Sequence, residues 1–212
     1  MYTPPAHRQE DTAVLHDLID EFSFAILVTL GPDGPMANHV PMLIDRGEGT
    51  YGRLRGHLSK ANPQLLEMRS EVPALAIFQG PHTYVSPNWY PSKQEDGKVV
   101  PTWNFVAVHA TGPLAVIDDV EGMMEIVGDL TDKHEQKFDQ PWKNSDAPDD
   151  YIQSTLKGIV GFEIQIEKLE GKWKMSRDKS DADRRGVIEG LSASENPIDR
   201  DVAAIMKKIS DD

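Results

Sequence analysis

Apolar residues recur at helical spacing between Asp11 and Phe22: Val14, Leu15, Leu18, Ile19 and Phe22 share one stripe, and Asp11 stands as an N-cap. This predicts an amphipathic opening helix. The run FAILVTL, Phe24 to Leu30, is continuously apolar and too short for a typical helix. The turn residues Gly31 to Pro35 follow it, so a hairpin leads into NHVPMLI, Asn38 to Ile44. YGRLRGHLSK supplies a third strand, and a short helix near Asn62 separates it from a fourth, ALAIFQG, Ala74 to Gly80. VPTWNFVAVH and TGPLAVI also have strand character. Asp119 to Leu130 reads as a helix with Val120, Met123, Met124 and Val127 on one stripe, and Tyr151 to Leu156 as a short helical segment. GIVGFEIQIEKLEGKWKM holds two alternating strands around a Glu-Gly turn, and two helices near Asp181 to Leu191 and Pro197 to Ile209 close the chain. Many short strands at close spacing, with helices at the ends, predict an antiparallel β-barrel with helical additions.

At 212 residues with 39% hydrophobic content, the chain can bury one sizeable core, so residues 1–212 are expected to form a single domain with a C-terminal helical extension. No run of about 18 uncharged apolar residues occurs, and MYTPPAHRQED lacks the basic and apolar regions of a signal peptide, so a cytoplasmic protein with no membrane partner is expected. The absence of cysteine excludes disulfides, thiolate nucleophiles, iron–sulfur clusters and cysteine zinc sites. A formal net charge of −13 repels polyanions, so any phosphate ligand needs a local cationic site.

The strand around YGRLRGHLSK carries such a site. A period of two sets Arg53, Arg55, His57 and Ser59 on one face, opposite Gly52, Leu54, Gly56 and Leu58. Lys60 follows, then Asn62 as an N-cap and Pro63 at the first helical position, where free N–H groups and the dipole favour an anion. The competing reading makes the arginines a solvated edge strand. In PTWNFVAVHATG the same period sets Trp103, Phe105, Ala107 and His109 opposite Thr102, Asn104, Val106 and Val108. Trp103 suits a flat heteroaromatic ligand or a wet interface, and Asn104 offers the donor and acceptor that a pyrimidine-like edge needs. The alternative is that Trp103 and Phe105 belong to the core and Asn104 caps a turn. Pro87 and Pro91 place Trp89 and Tyr90 on a constrained turn, where exposed aromatics usually touch something. The QEDGK insertion is a solvated loop tip.

Together, GHLSKANPQ, YVSPNWYPSK, VPTWNFVAVHATG and MSRDKSDADRRGVIEGL resemble the PaiB-like family, described as FMN-binding negative transcriptional regulators. The resemblance spans nearly the whole chain in the same order. It implies a split-barrel flavoprotein, mainly antiparallel β and related to pyridoxamine-phosphate oxidases, with FMN at the interface of a homodimer. By similarity, His57, Ser59, Lys60 and Asn62 would hold the FMN phosphate, while Trp103 and Asn104 would lie near the isoalloxazine or the dimer seam. Arg55 joins this set through its strand face alone. Family members read close to MSQNR where this chain has Met175-Ser176-Arg177-Asp178-Lys179; Lys179 keeps the terminal positive charge, and Arg177 and Asp178 depart from the pattern.

Three functions compete: a flavin-binding regulator, an FMN-dependent oxidoreductase acting with NAD(P)H on a small-molecule substrate, and a cofactor-free interaction module. His57 and His109 could tune or protonate a flavin or a substrate, or be ordinary hydrogen-bonded strand residues. The basic window KWKMSRDKSDADRRG is interrupted by acidic side chains and lacks a helix-turn-helix pattern, so regulation through direct DNA contact is disfavoured. No HxH or HExxH pair, calcium loop, GxSxG elbow or Walker loop occurs, so no metal site is expected and no catalytic residue is assigned.

Overall fold

The computed structural model describes residues 1–211. They contain strands β1 (Arg8–Gln9), β2 (Phe24–Gly31), β3 (Gly34–Asp45), β4 (Arg53–Ser59), β5 (Ala74–Val85), β6 (Thr102–Gly112), β7 (Leu114–Ile117), β8 (Ile159–Gln165) and β9 (Lys168–Lys174). Helices are α1 (Thr12–Glu21), α2 (Gln64–Glu67), α3 (Val120–Glu135), α4 (Asp149–Leu156), α5 (Asp181–Ser192) and α6 (Pro197–Asp211). The chain divides into two compact units, one made of residues 1–11, 79–108 and 170 onward, the other of residues 12–78 and 109–169. Mainly antiparallel β with helical additions is the observed class, as the patterning predicts.

In the larger unit the hydrogen-bonded order is β5-β2-β3-β4-β8-β7. The β2–β3 hairpin runs in register from Phe24↔Pro41 to Gly31↔Gly34, so only Pro32 and Asp33 form its turn. Gly34 has φ 133°, a value that L side chains resist, which explains a glycine there. The continuous apolar run FAILVTL resolves into two faces: Ala25 and Leu27 are buried, whereas Phe24 is exposed and Ile26 and Val28 are half-buried. Inside lie Leu27, Met42, Leu54, Phe162 and Ile164, all at most 1% exposed. Helix α1 buries Leu15, Leu18 and Ile19 as its spacing predicts, together with His16, whose Nε2 lies 2.9 Å from the Tyr51 carbonyl oxygen.

Helix α3 is longer than predicted and turned about its axis. Met123, Ile126 and Leu130 are buried, with Ile126 and Leu130 packed on Leu43, while Val120 is exposed. The residue that sets its start is Asp119, whose Oδ1 accepts a hydrogen bond from Gly122 N at 2.8 Å. Of the predicted stripe, Met123 is buried, Met124 and Val127 are half-buried and Val120 is exposed; Ile126 and Leu130, which pack on Leu43, complete the buried i, i+3, i+7 set.

In the smaller unit β1, β9, β6 and β5 are neighbours in that order, and β1 pairs with β9 through Arg8↔Lys172 and Gln9↔Gly171. β1 and β7 each have one hydrogen-bonded neighbour, so neither run of strands closes on itself. The smaller unit buries Val106, Met175, Val187, Leu191, Val202 and Met206. Its constrained turn, Pro87–Trp89 followed by Pro91–Gln94, packs on α5. A Cβ on Gly190 would sit 2.5 Å from the Trp89 ring, and one on Gly186 would sit 2.0 Å from the Trp89 carbonyl oxygen. Asp183, which opens the same helix, accepts hydrogen bonds from Ser92 N at 3.1 Å and Ser92 Oγ at 3.0 Å. Trp89 therefore touches its own chain.

Replacing Gly186 by alanine tests this contact. In a free helix Gly→Ala stabilises by about 1 kcal/mol. Here the methyl group meets backbone, and we expect a net loss of about 1–3 kcal/mol in urea denaturation; a more stable variant would show that the Trp89 turn moves aside freely.

Candidate functional site

The β4–α2 turn of the larger unit collects several of the residues named from the sequence. Ser59 and Lys60 are exposed and Asn62 is half-buried. Ser59 Oγ accepts from Ala61 N at 3.2 Å, Asn62 Oδ1 accepts from Gln64 N at 3.0 Å, and Lys60 N donates to the Gly158 carbonyl at 2.9 Å. The Lys60 ammonium has no ion-pair partner among the described residues. Helix α2 spans only four residues and is preceded by Pro63 in helical conformation, so the expected dipole at its N-terminus is small and the turn's side chains carry the chemistry.

Gln64, which sequence reasoning passed over, anchors this turn. It is fully buried; its Nε2 donates to the Leu27 carbonyl at 3.0 Å and the Met36 carbonyl at 3.2 Å, and its Oε1 accepts from Asn38 Nδ2 at 2.7 Å. A buried amide with its hydrogen bonds satisfied ties α2 to the β2–β3 hairpin and holds Ser59 and Lys60 in place. Its polarity argued for the surface in sequence; only the fold reveals the three backbone and side-chain partners that bring it inside.

Arg55 does not join the exposed turn. Its guanidinium is buried and spends its donors on Asp45 (Nε to Oδ2 at 2.6 Å, Nη2 to Oδ1 at 2.8 Å), Asp129 (2.7 Å) and Glu125 (3.2 Å). The Asp45 hydrogen bonds raise its pKa against the opposing effect of desolvation, with Asp129 adding to the rise. On Asp45 desolvation works upward, but the hydrogen bonds and charges of Arg55 and then Arg53 outweigh it and hold the carboxyl below its ordinary range. The cationic strand face read from the sequence is thus neutralised at Arg55 by acidic residues of β3 and α3.

His57, on the same face, lines an open depression of about 270 Å³ together with Pro41, Leu130, His134 and Trp142. Its Nδ1 is buried without a hydrogen-bond partner among the described residues, and burial holds its pKa below 6.5. His134 and Trp142 had no signal in the sequence that tied them to His57; the α3 register brings them there.

Three residues named from the sequence lie in the smaller unit. Asn104 is fully buried: its Nδ2 donates to Ser176 Oγ at 3.1 Å and to Met206 Sδ at 3.3 Å, and its Oδ1 accepts from Ser176 Oγ at 3.2 Å. Its amide edge is thus turned to the core, onto Ser176 and Met206. Ser176 itself has φ 56°, held by this buried pairing. Trp103 is 54% exposed, with His82 at 6.3 Å and Tyr84 edge-on at 6.2 Å between ring centroids. Lys179 lies beside Asp178, 3.7 Å away.

Residues 1–168 match the family described as "Putative FMN-binding domain". The chain is 31% identical over 207 residues to protease synthase and sporulation protein PAI 2 of Bacillus subtilis, covering 98% of this chain and 97% of that protein. The chain belongs to this family. Membership bears out the resemblance read from the four linked motifs. Among solved structures, the conserved hypothetical protein Rv2991 of Mycobacterium tuberculosis has a TM-score of 0.59 at 10% identity, covering 85% of this chain and 94% of that one. The FAD and heme binding protein of Mycobacterium smegmatis has a TM-score of 0.54 at 17% identity, covering 84% and 78%. Both share the family member's fold. No helix among the described residues is long and apolar enough to cross a membrane.

The desolvated imidazoles generate a pH prediction. His57, and with it His7 and His134, has a folded-state pKa below the ordinary value, chiefly through burial, so the unfolded chain binds more protons near pH 6. Stability should be full above pH 6.5 and decline as pH falls toward 5. Urea unfolding at pH 7.5 and 5.5 should show a smaller difference for His57→Phe than for the wild type; an unchanged difference would mean that His57 is not the desolvated group.

Proposed function

We propose that this chain binds FMN, with the phosphate at the β4–α2 turn. The observation that carries this reading is an exposed Lys60, without an ion-pair partner among the described residues, next to Ser59 on a turn anchored by Gln64, inside the residues that match the FMN-binding family. In a chain of net charge −13, such a turn supplies the local cation that a phosphate requires. Ser59 and Lys60 would hold the phosphate, and Asn62 would set the turn. FMN, rather than the FAD named for the Mycobacterium smegmatis protein, follows the family's description. When bound, FMN supplies hydride and single-electron chemistry; the chain's part is to position it and control access of water.

The chain is also read as a homodimer. Phe24 at 67% exposure, with half-buried Ile26, Val28, Leu75 and Ile77, gives β2 and β5 an apolar outer face of the kind that a second copy covers. The regulatory role attached to PaiB-like proteins is read as indirect, because Arg184 and Lys179 of the basic window sit beside Asp181 and Asp178. Sedimentation should give twice the chain mass, and mobility-shift assays at low salt should show no retained DNA.

The deciding experiment is the visible spectrum of the purified protein before and after addition of FMN and desalting, repeated with FAD. A retained flavin band with FMN is expected; colourless protein after both treatments would overturn the reading. Lys60→Ala should weaken FMN binding by about 1.5–3 kcal/mol, the range for a charge-assisted contact. Unchanged affinity would move the phosphate away from this turn.

A further inference from the structure

Residues 1–11 carry one buried side chain, and it is an imidazole. His7 is 6% exposed, whereas Pro5, Ala6 and Arg8 are exposed and Pro4 and Gln9 are half-buried. Pro4 and Pro5 lead into a single 3-10 turn, closed by His7 N donating to the Pro4 carbonyl at 2.9 Å. β1 then meets β9 through only two paired residues, Arg8↔Lys172 and Gln9↔Gly171, and has no other strand beside it. The charges that act on the ring come from β9 and from the chain just after it. Lys172, Lys174 and Arg177 are positive, and Asp178 is the carboxylate among them. Asp178 Oδ1 stands 3.9 Å from His7 Nε2, too far for a hydrogen bond, and its Oδ2 is 3.7 Å from Lys179 Nζ. His7 Nδ1 is buried with no hydrogen-bond partner among the described residues.

We propose that residues 4–9 are an acid-released strap: protonation of His7 lifts them from β9 and bares that strand's outer edge at Gly171 and Lys172. A neutral imidazole fills its site as a small ring at modest cost. A charged one would lie out of water beside three cations, with its Nδ1–H unsatisfied and its carboxylate shared with Lys179. Burial is the chief cause that holds the His7 pKa below 6.5; Asp178 opposes it, and Lys174, Lys172 and Arg177 reinforce it. The strap is therefore fully closed above pH 6.5 and loosens as pH falls toward the folded-state value. Opening breaks only the short pairing with β9, because that is all β1 has. The segment stays tethered, since the Met1 amine donates to Glu170 Oε2 at 2.9 Å and Lys172 Nζ donates to the Tyr2 carbonyl at 3.1 Å. Opening is thus local and reversible, and it leaves backbone groups of β9 without partners, as at any open sheet edge. A phenylalanine at position 7 would anchor the strap at every pH; histidine makes the anchor conditional. The proposal does not depend on flavin binding.

The test is hydrogen–deuterium exchange of the full-length protein at pH 7.5 and 5.5, corrected for the intrinsic effect of pH on exchange and read on the peptide covering residues 1–11. One imidazole with an ordinary value near 6.5 can change an opening equilibrium by at most about tenfold over this interval. Protection of the segment should fall about five- to tenfold, while β2 stays protected far longer at both pH values. His7→Phe should reduce the fall to less than about twofold. A second measurement, made on the native ring, follows His7 by NMR. Its titration midpoint should lie below 6.5, and Asp178→Asn, at a half-exposed position, should move it lower still by removing the one charge that favours the imidazolium. Equal protection at the two pH values, an undiminished fall in His7→Phe, or a midpoint at or above 6.5 would each overturn the proposal. So would exchange of the segment at the same rate as β2, which would mean that acid unfolds the chain as a whole and releases no strap.

Discussion

The Arg55 guanidinium is the constraint on which the larger unit depends. It sits on β4, under α3, and binds carboxylates from β3 and from two successive turns of the helix. A lone arginine there would be prohibitively costly; with Asp45, Asp129 and Glu125 around it, the buried charge becomes a clamp that fixes the rotation of α3 about its axis. That rotation decides which residues of the helix meet the sheet. Ile126 and Leu130 pack on Leu43, and the end of the helix brings His134 and Glu135 to the open depression that His57 also lines.

The same cluster separates two kinds of positive charge that look identical in the strand pattern. Arg55 is consumed by structure, whereas Lys60, five residues on and beyond the strand, has no ion-pair partner among the described residues and lies on a turn held by Gln64. A ligand anion competing for Arg55 would have to displace three carboxylates, and one reaching Lys60 displaces only water.

In the smaller unit the proline-rich turn and the late helix explain one another. Gly186 and Gly190, one helical turn apart on α5, create a flat surface onto which Trp89 settles, and Ser92 meets the carboxylate of Asp183 at the start of the helix. Trp103 has a different fate, remaining exposed between His82 and Tyr84. Two tryptophans of one stretch thus divide between core support and surface.

The sequence by itself determined the element order, the β2–β3 hairpin, the opening helix and, through four linked motifs, the family, because these depend on local periodicity, turn chemistry and residue identity. The turn at Ser59, Lys60 and Asn62 was legible for the same reason. Tertiary structure alone decided the rest. It consumed Arg55 with acidic residues up to 74 positions away and turned Asn104 inward onto Ser176 and Met206. It also buried Gln64 and gathered Pro41, His57, His134 and Trp142 around one open depression. Period-two alternation tells which residues share a face of a strand. What covers that face is settled by long-range packing, where a charge meets its counter-ion or an amide its carbonyls.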